Sequence, residues 1–211
     1  MKRFSSHVVI GCDIEMRDTA EVLRSILEAF SFRVHLYHPA HYRNVLEFLK
    51  GEIPECDHVI LCCHGDGDTE DNLHLNIEVI RQADDQDEKK NGWQKFTFKL
   101  TPKSIPQYIE NPKGTLICMA CGSGREAWVK SFLSAGYKAY IAPAEDYVDN
   151  NASILFITSF FYHLTMHLGD YTNRVYRRER RSRPQHRRMH TTSMALACSS
   201  TLSTSSHQQA A

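Results

Sequence analysis

Two short stretches carry the residue types from which a covalent catalyst is built. Val59-Ile-Leu-Cys-Cys-His-Gly65 ends an apolar run in an imidazole followed by glycine, and Cys118-Met-Ala-Cys-Gly122 ends another in a thiol followed by glycine. A thiolate is a strong nucleophile, and a neighbouring imidazole is the base that generates it. If the two runs are central strands of one open α/β sheet, His64 and Cys121 emerge on the same carboxyl-terminal rim, where such sheets bind their ligands. The run after Cys121 has helical periodicity, so the thiol is expected just ahead of a helix N-terminus, whose N–H groups and dipole favour an anion. Gly65 and Gly122 are expected to let the backbone approach a substrate and to offer N–H donors to an oxyanion.

The elements that must position this pair follow from the alternation of short apolar runs with amphipathic ones. That pattern predicts an α/β fold, a three-layer α/β/α sandwich around a mostly parallel sheet. Strands are expected at His7–Asp13, Phe32–Tyr37, Asp57–Cys63, Gly114–Cys121 and Ala139–Ala142. Helices are expected at Arg17–Phe30, from Pro39 to about Lys50 (apolar stripe Val45, Leu46, Phe48, Leu49), at Arg125–Ala135 closed by Gly136, and at Asn151–Leu168. The repeat breaks at Leu73–Ile80 and Trp93–Leu100. Both alternate with period two around the polar stretch Arg81–Gly92, which predicts an inserted β-hairpin with a long solvated loop. Thr101-Pro102 predicts a helix start.

Composition divides the chain. Residues 1–169 hold 17 Lys and Arg against 23 Asp and Glu, a formal charge of −6, whereas 170–211 hold eight Arg against Asp170 and Glu179, a charge of +6. The first part is expected to be one domain. The second, basic and then rich in Ser, Thr, Ala and Gln, cannot bury enough surface to offset chain entropy and is expected to be disordered. Its arginines are the one feature suited to nucleic acid. Lys2 and Arg3 precede a stretch, His7–Ile14, too short and polar-broken for a signal sequence, and no run is long enough to span a membrane. The seven cysteines (12, 56, 62, 63, 118, 121 and 198) are an odd number set mostly in apolar runs, which predicts a cytoplasmic protein with buried thiols rather than a disulfide framework.

Other chemistries suit the same residues less well. Cys62 and Cys63 alternate across a strand and read as core thiols facing opposite sides. Cys118 reads as a core thiol, and Cys12, at the cleft edge, as packing. Cys63, His64, Asp66 and His74 are permitted zinc ligands at a spacing that fits no familiar closed site. Asp66-Gly-Asp-Thr-Glu-Asp71 lacks the full calcium-loop pattern. His163 and His167 fit a helix face better than a ligand pair. Asp13 at a strand end lacks the paired acids and the lysine that a phospho-acceptor needs. No cofactor and no metal is expected.

The His-Gly and Ala-Cys-Gly endings together resemble the caspase-like (clan CD) cysteine peptidases, in which a hydrophobic strand ends in Ser-His-Gly and a later one in Gln-Ala-Cys-x-Gly. Gly114–Leu164 is similar to the bacterial CHAT domains of that clan: a strand ending in Ala-Cys, a helix, a glycine before a strand ending in Ala-Pro (Ala142-Pro143), and a helix with aromatic residues. Leu23-Arg24 through Phe32-Arg-Val34 resembles the caspase start, so the resemblance covers residues 7–168. It implies that Cys121 attacks a scissile carbonyl, that His64 protonates the leaving amine, and that N–H groups of Gly65 and Cys121 hold the oxyanion, with no third residue required. It also implies a protein or peptide substrate, and latency until an activating protein partner binds.

The sequence departs from that pattern where specificity is set. Caspases that cut after Asp use arginines at the first strand's end and beside the cysteine; Asp13 and Gly122 stand there. Asp13, Asp66, Asp68, Glu145, Asp146 and Asp149 surround the expected cleft, and a negative pocket favours a basic P1 side chain. Asp13, Asp66 and Asp146 are therefore the candidate substrate-binding residues. No linker after Cys121 is long enough to be cut into subunits, and the strand that follows the fifth in many relatives is missing or replaced by the tail. Two further function classes stay open: a catalytically silent caspase-like module that binds a protein partner, and another thiol hydrolase or transferase.

Overall fold

The computed structural model describes residues 6–38, 42–50, 56–67, 72–82, 93–109, 112, 114–169 and 194–198. Chain order runs β1 (His7–Cys12), α1 (Arg17–Ala29), β2 (Arg33–Tyr37), α2 (Tyr42–Lys50), β3 (His58–Cys62), β4 (His64–Asp66), β5 (His74–Gln82), β6 (Trp93–Leu100) and α3 (Ile105–Tyr108). It continues with β7 (Thr115–Cys118), α4 (Glu126–Ser134), β8 (Ala139–Pro143), α5 (Asn150–Gly169) and β9 (Met194–Cys198).

The apolar runs form one sheet ordered β2-β1-β3-β7-β8-β9. The first five strands are parallel, in the register Val9↔Val59 and Val59↔Leu116 across its centre. Period-two alternation then sorts side chains onto two faces. Val8, Ile10 and Cys12 of β1, Ile60 and Cys62 of β3, and Ile117 and Ile141 pack with Leu23 and Leu27 of α1 and Ile157 and Phe161 of α5. Val9, Val59, Leu61, Leu116, Cys118 and Tyr140 pack on the other side with Phe48 and Leu49 of α2 and Trp128 and Phe132 of α4. Helices thus cover both faces, as a sheet of continuous apolar strands requires.

The insertion is a second sheet, β4-β5-β6, antiparallel throughout. The hairpin of β5 and β6 has the predicted strands, and β4 adds a third. Leu75, Ile77 and Val79 of β5 join the α2/α4 core, so the hairpin is part of the domain rather than an appendage. Most of its expected loop, residues 83–92, lies outside the described residues, as does the Pro39 helix start.

Two expectations are corrected. The helix foreseen at Thr101 begins at Ile105, because Thr101 and Ser104 close a turn first: Thr101 N–H donates to Ser104 Oγ at 2.9 Å and Ser104 Oγ–H to Thr101 O at 2.8 Å. The tail, expected to be disordered, contributes β9, which runs antiparallel to β8 with Ala139↔Cys198 and Pro143↔Met194. Met-Ala-Leu-Ala-Cys is the apolar stretch within an otherwise polar tail, and β8 would otherwise present an open row of N–H and C=O groups. The position beyond the fifth strand is therefore filled from the tail. The rest of 170–211 lies outside the described residues.

Candidate active site

The third and fourth parallel strands stop short of the two candidate residues, His64 and Cys121. β3 ends at Cys62, and His64 already pairs with Asn76 in the second sheet. β7 ends at Cys118, and Cys121 opens a turn, 121–124, that leads to α4. Both residues nonetheless lie past the carboxyl ends of β3 and β7, and the backbone brings their segments into contact. A Cβ built on Gly65 would lie 2.0 Å from Cys121 O and 3.1 Å from Cys121 N. No side chain fits there, so glycine at 65 is what allows the His-Gly segment to lie on the cysteine's peptide.

The Cys121 turn is held from several sides. Ser123 Oγ–H donates to Ala120 O at 2.6 Å, Tyr140 Oη–H to Ser123 O at 2.8 Å, and Gly122 N–H to Glu145 O at 2.8 Å. Gly122 has φ +64°, a left-handed conformation that costs glycine little. Its N–H is engaged by Glu145, which corrects the expectation that Gly122 donates to an oxyanion; its contribution is the turn conformation. Cys121 N–H has no hydrogen-bond partner among the described residues. α4 begins at Glu126, so Cys121 stands a turn ahead of the helix rather than at its cap.

His64 is about half exposed. Strand alternation turns its side chain away from the face on which Gly65 meets Cys121, and no hydrogen bond joins the ring to Cys121 Sγ among the described residues. Its Nε2 lies 3.4 Å from Glu15 Oε2, in the loop between β1 and α1. Asp13 stands beside this pair. It is 1% exposed, its Oδ1 accepts the Met16 N–H at 2.8 Å, and its Oδ2 is buried with no hydrogen-bond partner among the described residues. Burial raises the Asp13 carboxyl above its ordinary value; the Met16 N–H and the nearby His64 offset part of that rise, and Glu15 adds to it.

The acidic residues do not converge into one negative pocket, which corrects the picture of a continuous acidic cleft. Asp146, with a side chain 74% exposed, is ion-paired with Arg125 beside Gly122, so its charge is already matched. Asp149 Oδ1 accepts the N–H groups of Asn151 and Ala152 at 2.9 and 3.2 Å and thereby caps α5. Asp66 lies 3.6 Å from His74 Nε2 and opens on a cleft of about 700 Å³ with Gly67, Asn72, Leu73, Lys99 and Thr101. Neither His64 nor Cys121 lines that cleft. Asp68 lies outside the described residues. Spacing along the chain cannot reveal that Arg125 meets Asp146, because the contact crosses 21 positions.

Cysteine burial singles out one thiol on this rim. Cys12, Cys62, Cys63 and Cys118 are buried, with Cys62 and Cys63 facing opposite sides of the sheet. Cys56 and Cys121 are partly exposed, but Cys56 precedes β3, at the opposite edge. A second thiol–imidazole pair, missed from the sequence, joins Cys12 Sγ to His38 Nδ1 at 3.0 Å, with His38 Nε2 3.8 Å from Glu21 Oε1. Burial, then the charges of Asp13 and Glu21, push the Cys12 thiol up to about 12. With 1% exposure it has neither the ionisation nor the access of a nucleophile. Among the described residues no three His, Cys, Asp or Glu side chains gather to hold a metal ion, the Cys63, His64, Asp66 and His74 set included.

Comparison with protein-family models finds no match to this chain, and comparison with curated proteins finds no similar sequence. Among the described residues no helix is long and apolar enough to cross a membrane.

Proposed function

We propose that this protein is a caspase-like cysteine endopeptidase, with Cys121 as nucleophile and His64 as general base and acid. The observation that carries the reading is the packing of Gly65 on the Cys121 peptide, which brings His-Gly and Ala-Cys-Gly to one rim around the partly exposed thiol found there. The strand order, with an antiparallel strand beyond the fifth and a small antiparallel sheet carrying the histidine, fits that class. In the reaction His64 takes the Cys121 thiol proton and the sulfur adds to the scissile carbonyl. The oxyanion is held by backbone N–H groups of Cys121 and Gly65, and the amine leaves with the proton from His64. Water, deprotonated by the same imidazole, then hydrolyses the thioester.

Asp13 favours a basic P1 residue. A buried carboxylate oxygen without a hydrogen-bond partner is what a guanidinium or ammonium completes, once substrate opens a path to it. Fluorogenic peptides ending in Arg, Lys or Asp test this directly. Hydrolysis after Arg or Lys, abolished in Cys121→Ala and His64→Ala, is the expected result; faster cleavage of the Asp peptide would remove the specificity assignment. Mass added to Cys121 by an Arg chloromethyl ketone identifies the nucleophile independently.

A second reading, a silent module of the same fold that binds a protein partner, draws on the absence of a His64–Cys121 hydrogen bond among the described residues. Failure of every electrophilic peptide to label Cys121, in the presence of partner proteins as well, favours it.

A further inference from the structure

The imidazole of His64 is not left to itself on the rim. Its Nε2 faces Glu15 Oε2 at 3.4 Å, with both side chains about half exposed. The two residues hang from one scaffold. Asp13 N–H donates to Cys62 O at 3.0 Å and Ile14 N–H to Glu78 O at 3.3 Å, tying the Glu15 loop to β3 and β5. His64 pairs with Asn76 on that same β5, two residues from Glu78. Asp13 Oδ1 closes the loop from within by accepting the Met16 N–H. Among the described residues the charged groups by the ring are Glu15, in ion-pair range, and the buried Asp13 behind it.

From this geometry, and resting on the peptidase reading above, we infer that Glu15 is a positioning residue for His64. Its carboxylate accepts the Nε2–H and so selects the tautomer whose Nδ1 carries the lone pair. An imidazole has two nitrogens, and the partner of one decides the state of the other. With Nε2–H held by Glu15, Nδ1 is the base that removes the Cys121 proton. The resulting imidazolium keeps its Nε2–H on Glu15, which takes no proton itself, and Nδ1–H is the proton delivered to the leaving amine. Proton transfer requires the ring to swing about its side-chain torsions toward Cys121 while its Nε2–H stays on Glu15.

Three variants test this in the full chain: Glu15→Gln keeps an acceptor, Glu15→Met keeps the length without one, and Glu15→Ala removes both. Long-range ¹H–¹⁵N spectra, with His64→Gln for assignment, report the tautomer directly. The expected result is Nε2–H in the wild type and in Glu15→Gln, and a mixture or Nδ1–H in Glu15→Met and Glu15→Ala. On an Arg-ended fluorogenic peptide the Met and Ala variants should lose about 10- to 100-fold in kcat with little change in KM, and the Gln variant should stay within a few-fold. A wild-type Nδ1–H tautomer, or the same tautomer in all four proteins, overturns the inference. If His64→Ala abolishes hydrolysis while Glu15→Met does not alter kcat, the inference fails and the peptidase reading stands. If no variant, Cys121→Ala included, alters hydrolysis, the peptidase reading fails, and the spectra alone decide whether Glu15 orients the ring.

Discussion

Gly65 stands against the carbonyl of Cys121 so closely that a Cβ at 65 would sit 2.0 Å from the oxygen. The contact joins the small antiparallel sheet to the turn after the fourth parallel strand, and both partners are backbone, so neither yields cheaply.

Gly65→Ala should therefore cost stability and reach Cys121. Overpacking of this kind costs about 1–3 kcal/mol, read as a lower unfolding midpoint in urea. The Cys121 labelling rate should fall as well, because the His-Gly segment is pushed off the cysteine's peptide. Unchanged stability and unchanged labelling would show that the segments slide apart freely.

Thiol accessibility gives a second outcome. A short pulse of iodoacetamide on the folded chain, followed by peptide mapping, should modify Cys121 and Cys56 well before Cys12, Cys62, Cys63 and Cys118. Burial keeps the Cys62 thiol protonated far above its usual range, the Cys118 hydrogen bond followed by burial does the same for Cys63, and burial pushes Cys12 up to about 12. Rapid modification of Cys12 would instead make the Cys12–His38 pair a reactive centre.

Asp13 has a signed pH dependence. Its carboxyl is raised from 3.8 in the folded protein, chiefly by burial, so between 3.8 and the raised value the folded state binds more protons than the unfolded one. Stability is lost as pH rises through that window, and the loss persists above it. Asp13→Asn retains the acceptor for Met16 N–H and removes the buried charge. It should match the wild type near pH 3.5 and exceed it at pH 7. Asp13→Ala forfeits the hydrogen bond to Met16 N–H, about 1 kcal/mol, at every pH. Asn and wild type with parallel stability profiles would refute the buried charge.

His58 works in the opposite direction. It is partly buried in T-shaped contact with the rings of Phe160 and Phe161, and desolvation lowers it from 6.5 despite the Asp57 charge. The unfolded chain then binds more protons below 6.5, so stability falls as pH drops through 6.5 toward the folded value, by up to about 1.4 kcal/mol per pH unit. His58→Phe should flatten that part of the unfolding-midpoint profile. An equal slope in the variant would move the effect to another group.

The gap between sequence and site is instructive at Cys121 and His64. The placement of each past an apolar run was legible, because a buried parallel strand needs such a run and ends at the rim. The departure into β4 was not legible: His64-Gly-Asp66 has no strand pattern of its own and pairs because β5 offers it an edge. The acidic pocket failed for a similar reason. Asp146 is matched by Arg125, 21 positions away, which only chain folding brings to it, and Asp149 turns onto the start of α5, a local cap that takes it out of the cleft.

Local pattern was enough for the parallel strands, the helices on both sheet faces and the inserted hairpin, since side-chain periodicity of two or 3.6 residues is a property of neighbouring positions. It was also enough to nominate one thiol and one imidazole. Tertiary structure alone decided that Gly65 meets the Cys121 peptide, that Gly122 N–H is engaged by Glu145, that β9 covers the open edge of β8, and that Glu15 faces His64. Those are contacts between residues far apart in the chain, and they are set by where backbone donors, acceptors and buried charges find partners once the sheet has formed.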